Sequence, residues 1–406
     1  MLKPFSENIS KLALVSIVLG LFFSNALKSI GLVYLAASFL IHPDSLKNIK
    51  VLLKDSLFVS CLIIASLYLL SFLYGGDLFY FFFSSRNKIL YFFVPLALVN
   101  TPLNKSEFRF LFYLFICSAL IQTLYATSYF FINDNSKALY SIGQVLPTIK
   151  INHVEISWLL SISVLLIINA ISISKDNTER LFLIIVGCWI FLFIHLFAVR
   201  TGIVLLYVFL MIHLGCLLYK NQKKYIPIIP FLVSLCLFIS YTLSENLRQK
   251  VNYTLYDISQ LSNDKENFQS YSDSRRILSF KVGIDIIKEN PFLGCGIGNM
   301  KDFCRQIYER KYPFIKKLNY YRPHSFYIYA FAGFGLIFGS ILLLSFFYPL
   351  LYFFKNNNVL FFNLYFSIVV ISLWDVIVGT LFGECIYILI IGWGIKINKG
   401  EHTSYQ

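Results

Sequence analysis

Arg275 and Arg276 stand side by side at the start of the run SRRILSFKVGIDIIKENPFLGCGIG, residues 274–298, and His324 follows in YRPHSFYIYAFAGFG, residues 321–335. A guanidinium can grip a phosphate through two parallel hydrogen bonds. Histidine is the side chain whose ordinary pKa suits it to take a proton near neutrality. A third arginine, Arg200, lies in LFAVRTGIVLL between two apolar runs, with almost no polar sequence around it. An arginine at such depth is costly and tends to have a partner or a function. Asp375, in SLWDVIVGTLFGE, is a carboxylate near the end of an apolar run, with Glu384 beyond it. The sequence has no DxD or paired carboxylate for a divalent metal, no phosphate-binding GxxxxGK[ST] loop and no HExxH. Charge on a departing phosphate would therefore fall to arginines.

Each of these residues also has an ordinary reading. Arg275 and Arg276 could be surface residues at a helix start. Arg276 nevertheless precedes Phe280 by one turn and Gly283 by two, which puts it on a face expected to press on the membrane and near a lipid-linked phosphate. Arg200 could be an interfacial anchor that snorkels to water. His324 follows Arg322-Pro323 at the opening of an apolar helix, where it could be a simple cap. Proline fits just before a first turn, and a helix N-terminus would favour the neutral imidazole. Asp375 could serve only as a structural partner for an arginine. Gly294-Cys-Gly-Ile-Gly298 looks like part of a dinucleotide fingerprint, but no strand precedes it and the GxGxG spacing is wrong. A tight turn is the better reading, although its backbone N–H groups could still touch an anion.

The elements that must position these residues are lipid-soluble. Of 406 residues, 57% are hydrophobic and only 14% charged, against about a quarter charged in a soluble domain. Repeated apolar runs of about 20 residues make an all-α polytopic membrane protein rather than a barrel, which would alternate over about ten residues. The first apolar run leads into a second without a small-residue cleavage site, against a removable signal peptide. The formal charge of +14 would point to nucleic acid in a soluble protein. Here it comes from loop lysines that set topology and from one large basic loop, so no nucleic-acid partner is expected. Eight cysteines show no CxxC pair or zinc spacing.

About twelve spans are predicted, over 9–25, 27–42, 55–74, 88–101, 109–132, 156–173, 181–197, 203–219, 225–243, 326–353, 359–377 and 385–397. With both termini inside, fifteen Lys and Arg fall on cytoplasmic segments against six on short outer loops, including Lys28, Lys88, Lys137, Lys150 and Arg200. The organisation is then 1–243 for the first nine helices, a large outer loop at 244–325, helices again at 326–397, and a cytoplasmic tail at 398–406. The loop should open as a helix and loosen by Asp273. It should continue as an amphipathic helix lying at the membrane interface, with Ile277, Phe280, Ile284 and Ile287 on its apolar face. Beyond the glycine turn, Lys301, Arg305, Arg310, Lys311, Lys316, Lys317 and Arg322 are interleaved with tyrosines. Cys295 and Cys304 could form a disulfide in an extracytoplasmic loop or remain two thiols.

At these residues the sequence resembles the O-antigen ligase and polymerase superfamily of bacterial envelope enzymes. The shared pattern is Arg276, the aromatic Phe280 four residues on, Asn290-Pro291-Phe-Leu-Gly294-Cys-Gly296-Ile-Gly298-Asn299, then His324-Ser325 and Ala332-Gly333-Phe-Gly335. It covers about 60 residues directly, and span number, basic charge and the late large loop extend it along the chain. Phe280 stands where tryptophan is commoner in the family, and the doubled arginine makes Arg275 a possible substitute for Arg276.

The resemblance implies a GT-C-like fold in the bacterial inner membrane and glycosyl transfer at the periplasmic face. It implies an undecaprenyl-diphosphate-linked O-antigen as donor, lipid A-core oligosaccharide as the ligase's acceptor, inversion at the anomeric centre and no metal or other cofactor. Arg200, Arg276 and His324 map onto the family's essential residues. Asp375 matches an acidic position in some ligases less securely, and Arg275 and Arg322 would assist in binding substrate. The late, basic loop suits an anionic acceptor and favours a ligase over a polymerase, which more often has two sizeable outer loops. A flippase would instead spread polar residues through the midplane.

Overall fold

A computed structural model describes residues 2–74, 76–133, 148–149, 151–221, 225–263, 272–315 and 320–398. All regular structure among these residues is helical. The order is α1 (Leu2–Phe23), α2 (Asn25–Ile41), α3 (Ser45–Leu52), α4 (Ser56–Leu70), α5 (Leu78–Ser85), α6 (Leu90–Asn100), α7 (Lys105–Ile132), α8 (His153–Ile173) and α9 (Asn177–Phe197). Then come α10 (Arg200–Asn221), α11 (Ile228–Leu243), α12 (Glu245–Asn263), α13 (Ser272–Glu289), α14 (Met300–Lys311), α15 (Phe326–Lys355), α16 (Val359–Ile371) and α17 (Leu381–Asn398). Lys137, Lys150, Lys316, Lys317, the stretch 264–271 and the tail from 399 lie outside the described residues.

The protein is an all-α polytopic membrane protein. Every apolar run predicted from the sequence is helical, yet the lengths differ from the expected uniform spans. Among the described residues, six helices are by themselves long and apolar enough to cross a membrane, or up to eight if two bent pairs each count as one span. Those pairs are α2 with α3, bent by 102°, and α11 with α12, bent by 99°. The run at 88–101 yields only the 11-residue α6, which contains Pro95 and follows a 3-10 turn at Arg86–Ile89. At 1.5 Å per residue it reaches roughly half of a ~30 Å hydrocarbon core. The run at 359–377 stops at Ile371, so Asp375 lies in a non-helical break rather than within a span.

Two basic residues expected in short outer loops are buried instead. Lys28 lies inside α2, where its amine donates to Asn25 Oδ1 at 2.9 Å and sits 4.8 Å from the Phe382 ring centre. Lys88 is sealed in the bundle, where it pairs with Glu384 and donates to the Val378 carbonyl at 2.6 Å. That contact ties the 3-10 turn Ile377–Gly379 to the bundle. Elsewhere the helices pack through a shared apolar core that also holds isolated polar contacts, such as Trp158 Nε1–H to Ser367 Oγ at 2.9 Å between α8 and α16. Small residues permit close helix approach in the same way.

The amphipathic run does form α13, but with a different buried stripe. Leu278, Val282 and Ile286 are buried together with Ser279, whereas Ile284 is 43% exposed and Ile277, Phe280 and Ile287 are only partly covered. The reason is Gly283. A Cβ there would collide with Pro323 and Ile328, so α13 lies tight against the entry to α15. The face carrying Ser279 and Gly283 thus packs on the protein's own chain.

Candidate active site

Arg200 is the first residue of α10 rather than a member of a loop. Its position follows from a close approach of α10 to α8. A Cβ on Gly202 would lie 2.8 Å from that of Ser157, and the Ser161 hydroxyl donates to the Gly202 carbonyl at 2.9 Å. Just upstream, α9 ends on Ala198 in the left-handed region at φ 52°. Lys250 of α12 donates to the carbonyls of Phe197 and Ala198 at 3.3 and 2.9 Å, a favourable place for a cation at a helix C-terminus. Arg200 is therefore presented on a fixed corner. Its Nη1 donates to Thr254 Oγ1 at 2.6 Å and to Asp273 Oδ2 at 2.7 Å, and its Nη2 to Asp273 Oδ1 at 3.1 Å.

Asp273 belongs to the first turn of α13, whose amide groups have no intrahelical partners. Asp257 of α12 satisfies them from outside. This buried carboxylate accepts the N–H of Asp273 at 2.7 Å, the N–H of Ser274 at 3.0 Å and the Ser274 hydroxyl. One turn on, Arg276 Nη1 lies 3.8 Å from Asp273 Oδ1. Arg200 and Arg276, 76 positions apart in sequence, thus meet on one carboxylate. Arg275 turns elsewhere, donating to the Tyr321 hydroxyl at 3.1 Å with its guanidinium carbon 5.6 Å from that ring's centre. The Tyr321 ring centre is in turn 5.9 Å from that of His324.

His324 precedes Ser325, the cap of α15, so it stands two residues outside the helix. Its N–H donates to Ser279 Oγ at 3.2 Å, and the Ser279 hydroxyl donates to the Arg276 carbonyl at 2.7 Å. Next to it, the Phe326 N–H donates to the Ser372 carbonyl at 3.0 Å, which draws the break carrying Asp375 alongside. Burial pushes the His324 imidazole below its ordinary pKa. Asp375 opposes the shift, while Arg276, Arg322 and Arg275 add to it. Burial and the nearby arginines thus favour the neutral imidazole. Arg322 is engaged by the Tyr80 hydroxyl and lies near Tyr68 and Tyr329, apart from the contacts of Arg200 and Arg276.

The glycine-rich turn is a packing device. Gly294 and Gly296 have φ of 74° and 77°. A Cβ on Gly294 would land on the backbone of Gly333–Gly335, where α15 is itself broken at Gly335 with φ 66°. Cys295 and Gly296 donate their N–H groups to the carbonyls of Ala332 and Gly333 at 2.9 and 3.0 Å, and Leu336 donates to Pro291 at 2.8 Å. These two turn amides are occupied by protein carbonyls, so they hold the turn against α15. Cys295 and Cys304 are both buried free thiols. The basic α14 is partly neutralised: Arg305 pairs with Asp302 at 3.1 Å, Lys311 with Asp285 at 2.7 Å, and Arg310 with Glu289.

Sequence reasoning missed Asp273, Asp257, Thr254, Tyr321 and Ser279, because each matters only through contacts made across helices. His153 and Glu155 carried a usable signal, being ionisable residues at the mouth of an apolar helix. His153 lies within electrostatic reach of Lys250 and Arg276, and Glu155 within that of Lys28 and Asp375. Among the described residues no three His, Cys, Asp or Glu side chains come together as a metal-ligand set.

Residues 184–344 match the O-antigen ligase family. The chain carries a domain of the O-antigen ligase and polymerase superfamily. The matched stretch holds Arg200, Arg275, Arg276, Arg322 and His324 and ends before Asp375. Among curated proteins nothing matches this chain. The superfamily domain supports one broad activity, O-antigen ligase- or polymerase-type chemistry on a lipid-linked glycan.

Proposed function

We propose that this protein is an O-antigen ligase of the bacterial inner membrane. In this reading it transfers O-antigen from undecaprenyl diphosphate to the lipid A-core oligosaccharide, with its site at the periplasmic face and both termini cytoplasmic. The observation that carries the reading is the meeting of Arg200 and Arg276 on one carboxylate, in a cluster that also holds His324.

In the proposed reaction an acceptor hydroxyl attacks the anomeric carbon from the face opposite the diphosphate and inverts it. His324 takes the hydroxyl proton, and its burial suits it to do so at neutral pH. The bond from the anomeric carbon to the phosphate oxygen breaks, and its electron pair leaves with the diphosphate. Arg200 and Arg276 stabilise that charge with paired N–H donors, and the partly dry setting strengthens the contact. Arg275 and Tyr321 flank His324 where an acceptor sugar would lie, and Asp375 tempers the imidazole.

Deleting the gene in its own host tests the assignment. A ligase mutant accumulates lipid-linked polymer and displays bare lipid A-core. A core capped with a single repeat would make the protein a polymerase instead, and unchanged lipopolysaccharide would overturn both readings.

A further inference from the structure

The fork between Nη1 and Nη2 of Arg200, the edge that would grip a phosphate, is already filled by both oxygens of Asp273. Thr254 takes a further Nη1 proton. Asp273 also lies 3.8 Å from the second phosphate-binding candidate, Arg276. Its carboxylate therefore stands between the two guanidiniums where a diphosphate oxygen would have to go. We propose that Asp273 is an internal competitor for the arginines: the lipid diphosphate displaces it on binding, and its return drives out the spent carrier. This inference rests on the ligase reading for the identity of the diphosphate.

Three features support exchange over permanent pairing. The arginine side of the pair is open to solvent, with side-chain exposures of 43% for Arg200 and 15% for Asp273, so an incoming anion can reach the guanidinium and compete for it. The start of α13 does not depend on that carboxylate, because Asp257 holds the amides of Asp273 and Ser274. Asp273 can release the arginine by a side-chain rotation alone, with its backbone in place.

The third feature is charge. The donor is a diphosphate diester carrying two negative charges. When the glycosidic bond forms and the anomeric carbon–oxygen bond breaks, the hydroxyl proton stays on His324 and the lipid diphosphate leaves with three. A product more charged than the substrate would bind the arginines more tightly and stall turnover. A carboxylate tethered beside them repels the trianion more than the dianion and supplies the ligand that replaces it.

The test is product inhibition of the full-length protein in detergent by undecaprenyl diphosphate, comparing wild type with Asp273→Asn, which keeps the shape and the backbone N–H. Competition predicts that the variant binds undecaprenyl diphosphate roughly threefold to tenfold more tightly, lowers KM for the lipid-linked donor and lowers kcat. Asp273→Glu, which restores the charge, should move the inhibition back toward wild type. Weaker binding of undecaprenyl diphosphate by Asp273→Asn, at an unchanged thermal midpoint, would overturn the proposal and make Asp273 an aligner of the arginines. Unchanged binding would overturn it too. If wild type itself fails to bind undecaprenyl diphosphate, the ligase reading has failed rather than this step alone.

Discussion

Lys88 and Glu384 are each 1% exposed, whereas Arg200 is 43% exposed and its partner Asp273 15%. The two regions use the same chemistry, a cation held by a carboxylate, at different depths. The buried pair is enclosed by Tyr68 and Tyr91 and joined to the Val378 carbonyl, so its charges have nowhere to go. The open cluster hangs on the first turns of α10 and α13 and the middle of α12, and its carboxylate is shared between two arginines. Depth thus separates a charge pair that holds the fold from one that can trade partners. A buried ion has lost its hydration and must keep its partner, while a half-exposed one can exchange its partner for water or substrate at little cost.

The sharpest break of that comparison is Lys88→Ala, which leaves Glu384 buried and unpaired. Destabilisation of about 3–5 kcal/mol is expected, read from denaturant or thermal unfolding in detergent. Replacing both partners together, as Lys88→Met with Glu384→Leu, should recover much of that loss. Arg200→Ala and Arg276→Ala should do the converse. Transfer should fall about 10²–10³-fold through kcat while the unfolding midpoint stays close to wild type. An Arg200→Ala protein as unstable as Lys88→Ala would erase the distinction between the two regions.

A subtler probe is the pH profile of kcat/KM. Asp375 raises the His324 pKa against burial, so Asp375→Asn should lower it further and move the acid limb to lower pH. Arg276→Gln removes a lowering influence and should move whatever activity remains in the opposite direction. The sign follows because the base acts as neutral imidazole, present above its pKa and lost as pH falls through it. Shifts of the same sign in both variants would remove His324 from the role of base. The smallest effect is expected for Ser279→Ala, which strips the acceptor from the His324 N–H. It should cost about 1 kcal/mol of stability, with a modest fall in transfer.

Several features are legible in the sequence alone. Composition declared a helical membrane protein, since apolar runs of that length have few other solutions. Arg200, Arg276 and His324 stood out as candidates because ionisable residues beside apolar sequence are expensive and so conspicuous. The glycine turn was readable as a turn, although its docking into the break of α15 at Gly335 was not. The face of α13 was misread because Gly283 carries no side chain, and hydrophobic periodicity counts side chains rather than gaps. Lys28 and Lys88 were misplaced for a related reason. A lysine near the end of an apolar run reads the same whether it faces water or a buried partner such as Glu384.

What the sequence determined by itself was therefore the solvent and the candidate chemistry. Both follow from residue types taken one at a time or from short-range spacing. What only the tertiary structure decided was which charges meet. Asp273 lies three residues from Arg276 and 73 from Arg200, and Asp375 is drawn to His324 by a backbone hydrogen bond from Phe326 to Ser372. A pairing between helix ends depends on how α8, α10, α13 and α15 pack, down to the missing side chains of Gly202 and Gly283. Electrostatic energy falls with distance in space, and separation along the chain carries no record of it.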